Sequence, residues 1–145
     1  MVHKVEPKQK SEFQHLEDEN GICSMDFDGA LWKYGAGIGI WAHNPFHQQN
    51  KVPTNVRLWS YKLAFDCTNN EAKYEALLIG LNILKKLGAR RIVVYGDSKI
   101  VIKQVKGEYQ ANHLWMRQYK NDVLKILKIF QECILKWCQG IKISW

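Results

Sequence analysis

The spacing of apolar residues divides the chain from about residue 21 onward into strands and helices. Three early segments alternate apolar with other residues at the period of two that predicts β-strands, and they cover residues 22–28, 35–42 and 56–65. Strands that follow each other this closely are typical of an antiparallel meander. Asp26 and Asp28 fall on one face of the first strand. We expect Asp28 to end that strand, because Gly29 permits a turn.

A long amphipathic helix is predicted after the meander. Thr68 followed by Glu71 forms the capping-box pattern that starts helices. Apolar residues then recur at helical spacing as far as Leu87, where Gly88 provides a stop.

A fourth strand is predicted at residues 91–96, which are rich in β-branched side chains. It ends at Asp97, and Ser98 is expected to begin a short helix that runs to Gly107. A strand, a long helix and another strand imply a parallel crossover. The crossover places Asp97 near Asp28, at one end of the sheet.

The C-terminal part predicts one more helix, at residues 113–130, and a last strand at 133–138. The helix has an apolar stripe suited to the core and basic residues elsewhere on its surface. These basic residues either contact a nucleic-acid backbone or form a solvated face. The predicted fold is therefore α/β, a mixed five-stranded sheet of three antiparallel strands plus parallel crossover strands, with helices packed on it.

The composition indicates a single domain and an intracellular location. The 145 residues, 46% of them hydrophobic and 24% charged, are typical of an ordinary globular domain. No apolar run approaches the ~18 residues of a membrane span, and the polar start does not resemble a signal peptide. We therefore expect an intracellular protein, cytoplasmic or nuclear. Residues 1–20 lack periodicity and are interpreted as a tail or linker, which leaves 21–145 as the domain.

Charge is unevenly distributed along the chain. Residues 1–20 contain three lysines against five acidic residues, a net charge of −2. Because the whole chain has a net charge of +7, residues 21–145 have a net charge of +9. A basic body favours polyanions such as nucleic acid, although many basic proteins bind none. The four cysteines form no Cys-x-x-Cys pair and are interpreted as reduced, half-buried residues. Four of the histidines, His3, His15, His43 and His47, are interpreted as surface residues rather than metal ligands.

Four short motifs occur in an informative order: MDFDGA at 25–30, TNNEAKYEAL at 68–77, VVYGDS at 93–98 and GEY at 107–109. Each aspartate alone is more typical of a residue that ends a strand or caps a helix than of a functional carboxylate. Together, from about Cys23 to the end of the chain, the motifs resemble a type 1 ribonuclease H domain, specifically the reverse transcriptase-associated domain of plant gypsy-like LTR retroelements. The resemblance implies endonucleolytic hydrolysis of the RNA strand of an RNA/DNA hybrid.

The same resemblance implies a two-magnesium site held by four carboxylates, since hard oxygen ligands suit Mg²⁺. The first and third carboxylates fall on Asp28 and Asp97. Lys73 stands at the position of the second, the family glutamate, and the fourth falls just beyond Trp145. The resemblance therefore also implies that the C-terminal helix of the family is missing from this sequence.

Hybrid contacts are implied as well. The resemblance assigns nucleic-acid binding to Asn69, Asn70, Gly29 and Ser98. It also places Trp137 nearest to a histidine that helps the product leave in the family.

Lys73 decides the expected activity. Glu71 and Glu75 lie two positions away, about 200° around the helix, so neither can replace the missing carboxylate. Four carboxylates would carry a charge of −4, whereas Asp28, Asp97 and Lys73 carry −1. Because each unit charge interacts at ~4 Å with roughly 4 kcal/mol at an effective dielectric of ~20, weak Mg²⁺ binding is expected. Our hypothesis is that Lys73 pairs with Asp28 or Asp97 and that cleavage is weak or absent.

Two alternatives remain open. The domain is a noncatalytic nucleic-acid-binding module, or it is a retroelement remnant without a selected function. A reverse transcriptase domain of a parent polyprotein is a further expected partner.

Overall fold

The computed structural model describes residues 16–18, 21–32, 35–44 and 56–139, and across these it confirms the predicted mixed sheet. The strand order is β3-β2-β1-β4-β5. The strands are β1 (Ile22–Trp32), β2 (Gly35–His43), β3 (Val56–Leu63), β4 (Arg91–Gly96) and β5 (Glu132–Trp137). The helices are α1 (Asn69–Leu87), α2 (Lys99–Val105) and α3 (Leu114–Leu127). In the described part of the chain, no helix combines the length and the apolar character that crossing a membrane requires.

Strand pairing follows the predicted topology. The first three strands are antiparallel neighbours, while β1 with β4 and β4 with β5 pair in parallel. The parallel ladder between β1 and β4 ends where Phe27 faces Gly96. Asp28 is the next residue of β1 and Asp97 directly follows β4, so the register brings both aspartates to one end of the parallel ladder.

The prediction that Asp28 ends the first strand is wrong. β1 continues to Trp32 because β2 still pairs with it there, from Asp28 opposite Gly39 to Trp32 opposite Gly35. Asp28 therefore marks the end of the parallel ladder but not the end of the strand.

The core lies between α1 and the sheet. Met25 and Phe27 project from β1 and are essentially fully buried, as are Leu77 and Leu81 of α1. Leu16 is also buried in this core, 1% exposed, although the sequence assigned residues 1–20 to a tail. The core thus includes at least this residue of that segment, while 1–15 and 19–20 lie outside the described residues.

The predicted limits of α1 are confirmed by its caps. The Thr68 hydroxyl accepts a hydrogen bond from the Glu71 amide at 3.1 Å, and the Glu71 carboxylate accepts one from the Thr68 amide at 2.9 Å. Gly88 ends the helix with φ of 86°, a left-handed conformation that glycine adopts readily. α3 is shorter than predicted, because the chain leaves the helix after Leu127 and reaches Phe130 through a turn.

A buried polar network joins the three helices. The Tyr74 hydroxyl on α1 donates to Oε1 of Gln104 on α2 at 2.7 Å, and Nε2 of Gln104 donates to the Gln110 carbonyl at 3.2 Å. The ring of Tyr119 on α3 stacks on that of Tyr74 with centroids 5.3 Å apart. Its hydroxyl donates to Glu75 at 2.7 Å. These contacts fix the orientation of the N-terminal half of α1, which carries Lys73.

Candidate active site

The site forms where three elements meet at the end of the parallel ladder. Asp28 belongs to β1, Asp97 follows β4, and Lys73 is the fifth residue of α1. The position of Lys73 follows from helix periodicity, since it shares a stripe with Leu77 and Leu84, which are fully buried. Its side chain consequently points toward the sheet rather than toward bulk solvent.

Lys73 bridges the two aspartates. Its Nζ atom lies 2.9 Å from Oδ1 of Asp28 and 3.4 Å from Oδ1 of Asp97. The lysine side chain is 21% exposed and both aspartate side chains are 27% exposed. The sequence predicted pairing with one of the two aspartates, and the structure shows contact with both.

The electrostatics reflect one cation shared by two anions. Burial opposes the charged form of Lys73, but hydrogen bonding and attraction to Asp28, followed by Asp97, outweigh it and raise the Lys73 pKa above its usual value. The pKa of Asp97 is also raised, chiefly by burial and then by repulsion from Asp28, which together exceed the opposing effect of Lys73. Asp97 is the more distant of the two partners, so Lys73 compensates it less completely.

The residues present do not fit a pair of divalent cations. The Lys73 ammonium has hydrogen-bond donors only and no lone pair for a metal. Glu71 is used in the capping box and Glu75 accepts from Tyr119, so neither joins the aspartates. Across the described ranges, no group of three or more histidine, cysteine or acidic side chains could hold a metal ion. The centre is an ion-pair cluster in which the ammonium lies between the two anions.

The residues that the resemblance assigned to nucleic-acid binding lie around this centre. Asn69 begins α1, and its Oδ1 accepts a hydrogen bond from the Leu31 amide at 3.1 Å. Asn70 is half-buried in the same turn. The Ser98 hydroxyl is buried and accepts from the Val101 amide at 3.3 Å, so it caps α2. Gly29 packs against α1. Their assignment to nucleic-acid binding stays a prediction.

A cavity of about 450 Å³ opens beside Asp28. Its walls come from the hairpin of β1 and β2 and from the neighbouring strand β3, where Tyr61 and Lys62 contribute an aromatic ring and a cation. The cavity is open to small molecules or to part of a larger ligand.

Trp137 borders the site in a way that the sequence did not show. Its indole Nε1 donates to the main-chain carbonyl of Asp97 at 3.1 Å, and the Lys99 ammonium lies 5.4 Å from the ring centroid. The resemblance placed Trp137 only near a family histidine. Its contact with Asp97 depends on the pairing of Gly96 with Trp137 across β4 and β5, which is not readable from local sequence.

Asp26 forms a second charged pair, away from Lys73. Its Oδ2 lies 3.4 Å from Nε2 of His43 on β2, while Nδ1 of His43 lies 3.1 Å from the Asn44 carbonyl. Burial disfavours the charged imidazole, but the hydrogen bonds to Asp26 and Asn44 outweigh it and raise the His43 pKa. The interpretation of His43 as a surface residue is therefore wrong, since its side chain is only 20% exposed.

Comparison with known proteins gives a consistent result. The sequence model of a family described as reverse transcriptase-like matches residues 54–139. The bifunctional protein Rv2228c of Mycobacterium tuberculosis is 44% identical over 46 residues, which are 32% of this chain and 13% of that protein. The chain thus spans only a small part of the length of this relative.

Solved structures share the fold. Ribonuclease H1 of the halophilic archaeon Halobacterium salinarum superposes with a TM-score of 0.73 and 23% identity, over 82% of this chain and 86% of that one. LC11-RNase H1, solved in complex with an RNA/DNA hybrid, gives a TM-score of 0.63 and 18% identity over 81% and 86%. At these identities the likeness establishes the architecture of the sheet and helices.

Proposed function

Since this chain belongs to the reverse transcriptase-like family and has the ribonuclease H fold, we propose that it is a nucleic-acid-binding domain descended from an RNA/DNA-hybrid ribonuclease. In this proposal Asp28 and Asp97 are the remaining carboxylates of an ancestral two-metal site. Lys73 stands in the place of a third and impairs cleavage.

One observation supports the proposed loss of cleavage: the Lys73 ammonium contacts both aspartates, at 2.9 and 3.4 Å. A divalent ion bound between the same carboxylates would lie roughly 4 Å from that ammonium. At an effective dielectric of ~20 their repulsion is about 8 kcal/mol, which cancels the attraction of about one carboxylate at the same distance and leaves the ion the equivalent of a single anionic partner. Lys73 must leave or be replaced before Mg²⁺ can bind tightly.

The expected ligand follows from charge and family. The whole chain has a net charge of +7, and exposed basic side chains such as Lys99, Lys106, Arg117 and Lys136 lie on the described surface. Such a surface binds phosphate backbones through counterion release. The structural neighbour LC11-RNase H1 was solved with an RNA/DNA hybrid. We therefore propose an RNA/DNA hybrid as the ligand, with the 2′-hydroxyl groups of the RNA strand distinguishing it from duplex DNA.

The same proposal includes the origin and context of the domain. We propose that it derives from a plant gypsy-like retroelement, that residues 21–145 together with at least Leu16 form the domain, that it acts inside the cell, and that its partner is a reverse transcriptase domain. The description of the family as reverse transcriptase-like supports the last point.

The test is a Mg²⁺ titration with a labelled RNA/DNA hybrid, measuring both binding and cleavage. We expect the natural chain to bind the hybrid with a steep salt dependence but to cleave it weakly or not at all. Lys73→Glu, and Lys73→Glu extended by a family-like C-terminal helix, are expected to gain Mg²⁺ binding, with cleavage greatest in the extended form. Lys103→Glu is the matched control, because it makes the same charge change at an exposed pair with Glu108.

Each part of the proposal can be contradicted separately. Robust Mg²⁺-dependent cleavage by the natural chain would disprove the impairment. Failure to bind hybrid even at low salt would disprove nucleic-acid binding itself.

A further inference from the structure

Trp137 is attached by a hydrogen bond at the edge of the lysine–aspartate centre. Its Nε1 donates to the carbonyl of Asp97 at 3.1 Å, and the side chain of the same Asp97 lies 3.4 Å from Lys73. The next residue continues the attachment, since the Cys138 amide donates to the Gly96 carbonyl at 2.9 Å. The indole thus bonds to the main chain of Asp97, whose side chain belongs to the charged centre.

The indole is nevertheless open to ligands. Trp137 is 40% exposed, although a large apolar ring gains free energy from burial. An exposed aromatic residue that is also anchored by a hydrogen bond loses little conformational entropy when a flat ligand stacks on it.

A cation accompanies the ring. The Lys99 ammonium lies 5.4 Å from the centroid of the Trp137 ring, and the adjacent Lys136 lies 5.9 Å from the ring of Tyr95. Lys99 is exposed, so its charge is available to an anion that approaches the ring. An exposed aromatic ring beside a cation is the combination by which proteins bind unpaired nucleotides, the base on the ring and the phosphate on the amine.

We propose that Trp137 and Lys99 form a binding site for one unpaired nucleotide of a nucleic-acid strand that lies along the lysine–aspartate centre. This proposal rests on the proposed nucleic-acid-binding function and adds a ligand class to it, a single-stranded segment adjoining the hybrid. The base stacks on the indole, and Lys99 contacts the neighbouring phosphate.

The test separates bases from phosphates. Affinity is measured by fluorescence anisotropy at fixed salt for a labelled oligothymidylate and for an abasic oligonucleotide of the same length. Because stacking on an aromatic side chain changes affinity by roughly 5- to 150-fold per base, the natural chain should prefer oligothymidylate by at least about fivefold. Trp137→Ala should bind both oligonucleotides equally. Trp137→Phe, which keeps a ring but loses the Nε1 donor, should retain most of the preference.

Lys99→Gln tests the phosphate contact. It should weaken the binding of both oligonucleotides alike and lower the salt slope by about one, leaving the base preference intact. Phe65→Ala removes another exposed aromatic ring, 48% exposed, next to β3 at the opposite edge of the sheet, and should change neither affinity.

The outcomes discriminate between the nucleotide site and the proposed nucleic-acid-binding function on which it rests. If the natural chain binds both oligonucleotides equally well, or if Trp137→Ala keeps the preference, the nucleotide site is disproved while nucleic-acid binding stands. If the natural chain binds neither oligonucleotide nor the hybrid, both are disproved. If Trp137→Ala fails to fold, equal binding of both oligonucleotides by the natural chain still disproves the nucleotide site.

Discussion

Gly29 of β1 lies directly against the backbone of Ala72 in α1. A Cβ atom placed on Gly29 would lie 2.4 Å from the Ala72 carbonyl oxygen and 2.8 Å from the Lys73 amide nitrogen, far inside van der Waals contact. Only a glycine lets helix and strand approach so closely. Because Asp28 precedes Gly29 and Lys73 follows Ala72, this approach sets the distance over which the ammonium reaches the carboxylate.

Gly29→Ala is expected to destabilise the protein by about 2–3 kcal/mol, since the methyl group meets rigid backbone and α1 must move away. Urea unfolding followed by circular dichroism measures the change. Gly80→Ala is the matched control within the same interface. Its added methyl meets the flexible end of the Met25 side chain, and the helix gains from alanine, so a smaller loss is expected. Equal losses in the two variants would contradict the close approach at Gly29.

Lys73→Met should leave Asp28 and Asp97 facing each other without compensation. We expect a loss of roughly 1–2 kcal/mol at pH 7, a figure discounted because the three side chains are partly exposed. The loss should shrink as pH falls through the raised pKa of Asp97, because its protonation removes the repulsion. Mg²⁺ should raise the melting temperature of Lys73→Met but not that of the natural chain.

Two comparisons guard that prediction. Lys103→Met removes a lysine from a more exposed pair, with Glu108, in which only one carboxylate contacts the ammonium, and should have little effect on unfolding. In the natural chain, the ion pairs that raise the Lys73 pKa stabilise the fold fully at any pH below the ordinary lysine pKa. This stabilisation is lost as pH rises through the raised pKa. A Lys73→Met protein as stable as the natural one at pH 7 would contradict the role of the ammonium.

His43 should titrate above the usual histidine value, and NMR of its ring protons measures this directly. Because the folded-state pKa is raised, the pair with Asp26 contributes stability that is fully present below the unfolded pKa of about 6.5 and is lost as pH rises through the folded value. Asp26→Asn should lower the His43 pKa and flatten this dependence. Asp122→Asn, an exposed position, should leave both unchanged.

Tyr74→Phe should destabilise the protein by about 1–3 kcal/mol, because Oε1 of the buried Gln104 then loses its donor. Thermal and urea unfolding both report the change. Tyr119→Phe removes a hydroxyl that bonds to the partly exposed Glu75, where water can replace it, and should cost less. The reverse order would contradict the assignment of the buried network to Tyr74 and Gln104.

Local patterns predicted most of the fold. The capping box at Thr68 and the left-handed Gly88 fix α1 by contacts among near neighbours in sequence, so its limits were predictable. The meander of β1, β2 and β3 was predictable from short connections, and the place of β4 beside β1 followed from the crossover rule. The extension of β1 to Trp32 was not predictable, because it depends on how far β2 remains paired beyond Asp28.

Some features of the site were likewise predictable from local patterns, and others were not. Helix periodicity was sufficient to turn Lys73 toward the two aspartates, and the crossover rule was sufficient to bring Asp28 and Asp97 together. The pairing of Asp26 with His43 and the bond from Trp137 to Asp97 depend on cross-strand register, to which no local pattern is sensitive. Long-range register is therefore the information that the sequence analysis lacked.

The hydrogen bond from the Leu31 amide to Asn69 affects which backbone groups are available for strand pairing with another molecule. Beyond the parallel ladder, β1 runs on without β4 beside it, and bare strand edges of this kind recruit strands from other chains and seed aggregation. The Asn69 side chain takes the place that a foreign carbonyl would need at Leu31. The Leu31 amide is therefore already paired within the chain and is not available to a strand of another molecule.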